Sequence, residues 1–196
     1  MAEVLKLVIQ TQEEMMADRG FKDYKQEEVK GSDDFYRIYT KGKEKVFVYY
    51  ITSPNPLLKA DFESFNEAVG YVSKSKSHDV YKNIILIYPD QKSLTNISSY
   101  LDGYHLNPDF QSFSYKRLTY NPTKRMDAPT VRLIPEEDEE ALLKEMGLNK
   151  KQLLIVSSKD PIVQYYGWKS GRIVEFERYL ELECVAPYTL SYRRIV

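Results

Sequence analysis

A chain of 196 residues is long enough for one ordinary domain or for two small ones, each with a core of modest size. Lys and Arg total 28 against 29 Asp and Glu, a net charge of -1 that excludes a binder living on bulk phosphate neutralisation. The one cysteine, Cys184, excludes an intrachain disulfide framework and points to a reducing compartment, and no segment approaches the ~18 apolar residues of a membrane span, so the chain is expected to be soluble, untargeted and without a membrane partner.

In chain order, residues 4–19 place Leu5, Val8, Met15 and Met16 near one helical stripe, and Gly20 stands where a left-handed cap would end that helix. "DFYRIYT" and "VFVYYIT" are β-branched and aromatic runs separated by the polar turn "KGKEK", which reads as a hairpin closed off by Pro54 and Pro56. Positions 62, 65, 69 and 72 then carry Phe and Val at helical spacing behind an Asp61 cap. "NIILIYP" is a short continuous apolar run, the pattern of a strand covered on both faces, and "SLTNISSYL" offers Ser93 as the cap of a following helix. "FQSFSYKRLTY" reads as a further strand. "NPTKRMDAPT", with two prolines and little apolar content, reads as a linker.

The second part opens with "IPEEDEEALLKEMG", a helix with Pro135 at its first position, acids in the first turn and Gly147 as terminator. That acidic run reads as a solvated, dipole-matched face, because metal ligands must converge on a point and these fan round a cylinder. In "DPIVQYYGWKSG", Asp160 is a helix cap, Pro161 has the fixed φ of a first helical position, Gly167 ends the helix and Gly171 turns the chain into the strand "RIVEFER". "YTLSYRRIV" closes the chain as another strand, so this part is expected to be a small α+β unit with an antiparallel sheet, following an α/β first part.

Chemistry is sparse. The phosphate-cradling glycine loops and the serine nucleophile elbow are absent, and His78, His105 and Cys184 lack the spacing of a metal site, so no metal or cofactor is expected. One pattern, "PDQK", resembles half of a magnesium-dependent nuclease, with Asp90 as metal ligand, Lys92 polarising water and Asp61 as a second acid. The same four residues make good turn chemistry after a strand, and that reading is preferred. The 17 tyrosines are read as packing surface rather than a base-stacking platform, which would interleave them with Lys and Arg.

Asp160, Pro161, Ile162, Tyr165, Gly167, Gly171, Ile173 and Val174 reproduce the pattern Asp-Pro-(Val/Ile)-x-x-Tyr-x-Gly-x-x-x-Gly-x-(Val/Ile)-Val. This resembles the signature of the fifth common subunit of eukaryotic RNA polymerases, whose C-terminal domain is equivalent to a separate subunit of the archaeal polymerase. Leu148, Gln152 and Leu153 upstream, and Arg178, Tyr192 and Arg193 downstream, are similar to further positions of that family. Thr11, Met15, Arg19, Gly20 and Phe21 are similar to the end of its N-terminal helix. Where the family enters its C-terminal domain through His-x-Leu-Val-Pro-x-His, Pro129 is kept, with Arg125 and Val131 in the histidine places. Val163 and Gln164 replace Ala-Arg, and "CVAP" replaces the Thr-Ala-Gly turn, a drift that suggests a divergent eukaryote or a large DNA virus.

The resemblance implies an N-terminal jaw domain over residues 1–121 with nuclease-like topology, a linker over 122–130 and an assembly domain over 131–196. It implies a non-catalytic polymerase subunit, nuclear or in a viral factory, docked on the largest subunit and neighbouring small subunits. Pro129, Asp160, Pro161, Tyr165, Gly167, Gly171, Arg178, Tyr192 and Arg193 would be the assembly residues, and Lys92 and Ser93 would meet downstream duplex DNA without reading its sequence. A magnesium-dependent nuclease using Asp90 and Lys92, or a free adaptor, are the alternatives.

Overall fold

A computed structural model describes residues 2–29, 31–52, 59–74, 83–89, 109–179 and 188–196. The chain divides into two compact units, Met1–Tyr120 and Asn121–Val196.

The first unit is built on a five-stranded sheet in the order β1-β2-β3-β4-β5. β1 (Asp23–Glu28), β2 (Phe35–Lys41) and β3 (Glu44–Tyr50) form an antiparallel meander, while β4 (Asn83–Tyr88) and β5 (Phe110–Ser114) run parallel to β3. The expected hairpin is β2–β3, closed at Lys41 and Glu44 around Gly42 and Lys43. Alternation sorts the strands into two faces. On one face Tyr36, Phe47, Tyr49 and Leu86 pack against Phe62, Phe65 and Ala68 of α2 (Lys59–Lys74). On the other, Tyr39 and Tyr50 donate to Gln12 Oε1 of α1 (Ala2–Asp18), and Arg37 pairs with Glu13 at 2.8 Å. β4 lies between two strands and is buried on both faces, which is why its sequence is apolar without alternation.

Two local expectations are corrected in this unit, and one strand went unread in the sequence. α2 starts at Lys59, so Asp61 lies inside the first turn rather than at the cap. β5 stops at Ser114, and Tyr115–Leu118 form a 3-10 turn that buries Tyr115, whose hydroxyl donates to the Ile51 carbonyl at 2.7 Å. β1, "DYKQEE", carries no apolar alternation; it is an exposed edge strand whose charges guard it against further pairing. Asp90, Lys92, Ser93, His78, His105, Cys184 and the helix expected in "SLTNISSYL" lie outside the described residues.

The second unit carries a four-stranded sheet, β6 (Thr130–Leu133), β8 (Ile173–Tyr179), β9 (Tyr188–Ile195) and β7 (Leu154–Val156), in that spatial order. The expected antiparallel sheet is corrected to a mixed one, because β7 runs parallel to β9. The chain reverses once through the helix and corner at residues 161–171 and again between β8 and β9, and two reversals bring β9 back in the direction of β7. One face packs Val174, Phe176 and Ile195 on Val163 of α4 (Pro161–Tyr166), with Trp168 beside them. The other packs Ile173 with Ile134 and Leu153 against Leu142 and Leu143 of α3 (Glu136–Met146).

Pro135 caps α3 from outside rather than filling its first helical position. Residues 121–124, expected in the linker region, fold into this unit. Pro122–Lys124 form a 3-10 turn with Pro122 buried, and Asn121 Nδ2 donates to the Tyr165 hydroxyl at 2.9 Å.

Candidate functional site

The motif "DPIVQYYGWKSG" folds as a helix of six residues followed by a corner. Asp160 is its N-cap: the carboxylate accepts from Ile162 N at 2.9 Å and Val163 N at 3.4 Å, two donors that the first helical turn leaves without partners. Pro161 follows at a position where a missing N–H costs nothing. Gly167 ends the helix with φ 70, its N–H donating to Gln164 O and that of Trp168 to Val163 O, both at 3.1 Å. Tyr165 points inward to Asn121, while Tyr166 stacks on Trp168 with centroids 4.5 Å apart and planes at 9°.

Gly171 turns the chain into β8 with φ 89, and the corner is closed by the last strand: Gly171 N donates to Ile195 O at 2.9 Å and Ile195 N to Arg172 O at 3.0 Å. A Cβ built on Gly171 would meet nothing within 4 Å, so the demand for glycine is a demand for positive φ and not for space. Gly171→Val is expected to cost about 1–2 kcal/mol through backbone strain, with Gly171→Asn milder because asparagine tolerates this region. Trp168, the sole tryptophan, reports this core, so its fluorescence during chemical denaturation measures the loss. An unchanged midpoint in the valine variant would contradict this role.

A second feature holds the corner in place and was not read from the sequence. Glu139, with its side chain only 8% exposed, accepts from Arg172 Nε at 2.9 Å and Ile173 N at 3.1 Å through one oxygen, and pairs with Lys150 through the other. Arg172 also donates to the Ile134 carbonyl at 2.8 Å. One carboxylate therefore ties α3 to the start of β8. Burial pushes its pKa up, but the hydrogen bonds from Lys150, Arg172 and the Ile173 amide outweigh it and hold Glu139 below the ordinary glutamate value. The signal was present: Glu139 stands three and four residues before Leu142 and Leu143, on the apolar stripe of α3 rather than its solvated face.

Of the other expected assembly residues, Arg178, Tyr192 and Arg193 lie on the sheet. Tyr192 belongs to a row across three strands in which Arg132 grips Glu175 with 3.2 and 3.1 Å hydrogen bonds and Tyr192 lies opposite Glu175 on β9. Hydrogen bonding from Arg132 holds Glu175 below its ordinary range. Arg193 projects on the opposite face, its guanidinium 4.8 Å from the Phe176 ring centroid. Arg178 is exposed on that same face of β8. Pro129 immediately precedes β6. Beyond β6, Ile134 is buried and Pro135 caps α3.

Among the described residues no group of three or more His, Cys, Asp and Glu is arranged to hold a metal, and no helix is long and apolar enough to cross a membrane. In the first unit the buried acid is Asp34. Its carboxylate accepts from Thr52 N at 2.7 Å, Thr52 Oγ1 at 3.2 Å and Tyr49 OH at 3.2 Å, a set of donors that serves packing.

Residues 120–195, which include all but the last residue of the second unit, match the family model described as RNA polymerase Rpb5, C-terminal domain. The chain is 36% identical over 63 residues to DNA-directed RNA polymerases IV and V subunit 5B of Arabidopsis thaliana, covering 32% of this chain and 29% of that protein. It is 28% identical over 104 residues to DNA-directed RNA polymerase V subunit 5A of the same plant, covering 48% of this chain and 47% of that one. The matches thus span less than half the length of these relatives. The family match and these relatives support an Rpb5-type subunit.

Proposed function

We propose that this chain is a non-catalytic subunit of a multisubunit DNA-dependent RNA polymerase. Its C-terminal unit docks on the largest subunit and neighbouring small subunits, and its N-terminal unit forms part of the lower jaw beside downstream DNA. The observation that carries the reading is the match of residues 120–195 to the Rpb5 C-terminal domain, within which the capped helix and glycine corner keep the family pattern. The chemistry of the corner supports it: Asp160, Tyr165 and the glycines are engaged in capping and turning, so they specify shape. "DQKSLT" would approach the downstream duplex, with Lys92 and Ser93 contacting phosphates without base readout. A nuclear location accompanies this reading, and cell fractionation distinguishes it from a viral factory.

Crosslinking in the isolated polymerase tests the placement. A photo-crosslinker at exposed Lys159, beside the corner, is expected to capture the largest subunit, and one at Lys92 the downstream duplex. Capture of neither would sink the placement. The nuclease alternative is tested by magnesium-dependent cleavage: no activity is expected, and cleavage abolished by Asp90→Ala would replace the proposal.

A further inference from the structure

β9 is paired with β8 from Tyr188 to Arg194, but with β7 only from Arg193 to Ile195. The hydrogen bonds at its end fix which way its backbone groups point. Ile195 N donates to Arg172 O on the β8 side, whereas Val196 N donates to Val156 O on the β7 side. The β8–β9 register runs without a slip, so the N–H and C=O of Tyr188 and Leu190 face the β7 side, beyond the end of β7. Among the described residues they have no ladder partner.

Among the described residues this edge lacks the usual guards. β1 in the first unit protects itself with Asp23, Lys25, Glu27 and Glu28, but at β9 the side chains are Tyr188 and Leu190, 58% and 54% exposed. Tyr179, 63% exposed, lies opposite Tyr188 with ring centroids 5.3 Å apart, so the three make an apolar step on one face of the sheet. The other face, packed on α4 at Val174, Phe176 and Ile195, also carries two arginines. Arg178 and Arg193 project there, and neither forms an ion pair among the described residues. Arg193 Nε is buried without a hydrogen-bond partner, while Asp127, the acid influenced by Arg178, is held by Arg125 at 2.9 Å. The Arg193 guanidinium is fixed 4.8 Å from the Phe176 ring centroid, so its charge is held in place on this face.

We infer that the free edge of β9 accepts an extended segment of a partner subunit as a fifth strand. Its backbone pairs with Tyr188 and Leu190, its apolar side chains cover Tyr179, Tyr188 and Leu190, and its acidic side chains on the other face meet Arg178 and Arg193. The inference rests on the docking reading above and names the kind of segment that docks.

The test uses the full chain with amide exchange followed by NMR. The probe is a synthetic peptide of alternating glutamate and valine, about eight residues long, with a lysine-valine peptide as control. The first is expected to slow exchange at Tyr188 and Leu190, and the control is expected to leave it unchanged. Leu190→Pro removes an outward N–H without touching the β8–β9 ladder, so the unit should keep its Trp168 denaturation midpoint yet bind the acidic peptide about ten-fold more weakly. Arg193→Gln should also weaken binding, by several-fold. Unprotected Tyr188 and Leu190 amides, equal binding by Leu190→Pro, or protection that instead follows self-association of the chain would overturn the inference. Polymerase recovery is scored separately. Retained recovery with no peptide binding removes only the edge; peptide binding without recovery removes only the docking reading.

Discussion

Glu139→Ala is expected to lower the unfolding free energy of the C-terminal unit by about 3 kcal/mol, read from Trp168 fluorescence in denaturant. The carboxylate is the acceptor for Arg172, Lys150 and the Ile173 amide. Arg172 and Lys150 are partly exposed and regain water when it is removed. Ile173 is fully buried, so its N–H is left with neither partner nor solvent. Glu139→Gln keeps one acceptor oxygen and should lose less. A loss below about 1 kcal/mol in the alanine variant would show that the knot does not hold the corner. The same group sets a pH dependence. Because the folded state holds Glu139 below its ordinary value, its contribution is whole above the ordinary glutamate range, erodes as pH falls through it, and is gone below the folded value. The acid limb of the stability curve should therefore be shallower in Glu139→Gln, and an unaltered limb would contradict this.

In the first unit, Asp34→Ala is expected to cost a similar amount, about 3 kcal/mol. Asp34 is 2% exposed and joins the start of β2 to the residues following β3. Removing it orphans Thr52 N and the Tyr49 hydroxyl. Burial chiefly, with the charge of Asp34 and the hydrogen bond to it adding, pushes the Tyr49 hydroxyl far above its usual range, so it stays protonated and remains a donor. Asp34→Asn keeps an oxygen for Thr52 N and should be milder. Amide exchange along β2 and β3 is the measurement: faster exchange of Tyr50 and Ile51 is expected in the alanine variant, and unchanged exchange would rule out the role given to Asp34.

What could be read from the sequence was local or strongly patterned. The continuous run in β4, the Gly42 hairpin and the cap-proline-glycine order of α4 each follow from a few adjacent residues, and each stands as expected. What escaped depends on neighbours remote in sequence. β1 has no apolar face because it is an edge, and nothing in "DYKQEE" announces the partner β2. The parallel direction of β7 follows from where β9 returns, not from its own three residues. Residues 121–124 look like a linker by composition, yet Asn121 reaches Tyr165 across 44 positions. Glu139 was hidden by four neighbouring acids, though its spacing from Leu142 and Leu143 marked it as facing inward.

Membership of a polymerase is tested most directly by isolating the tagged chain from its source cells, followed by gel filtration and mass spectrometry. The two largest polymerase subunits are expected to elute with the chain, in equal proportion to it. A chain that elutes without them would contradict that membership.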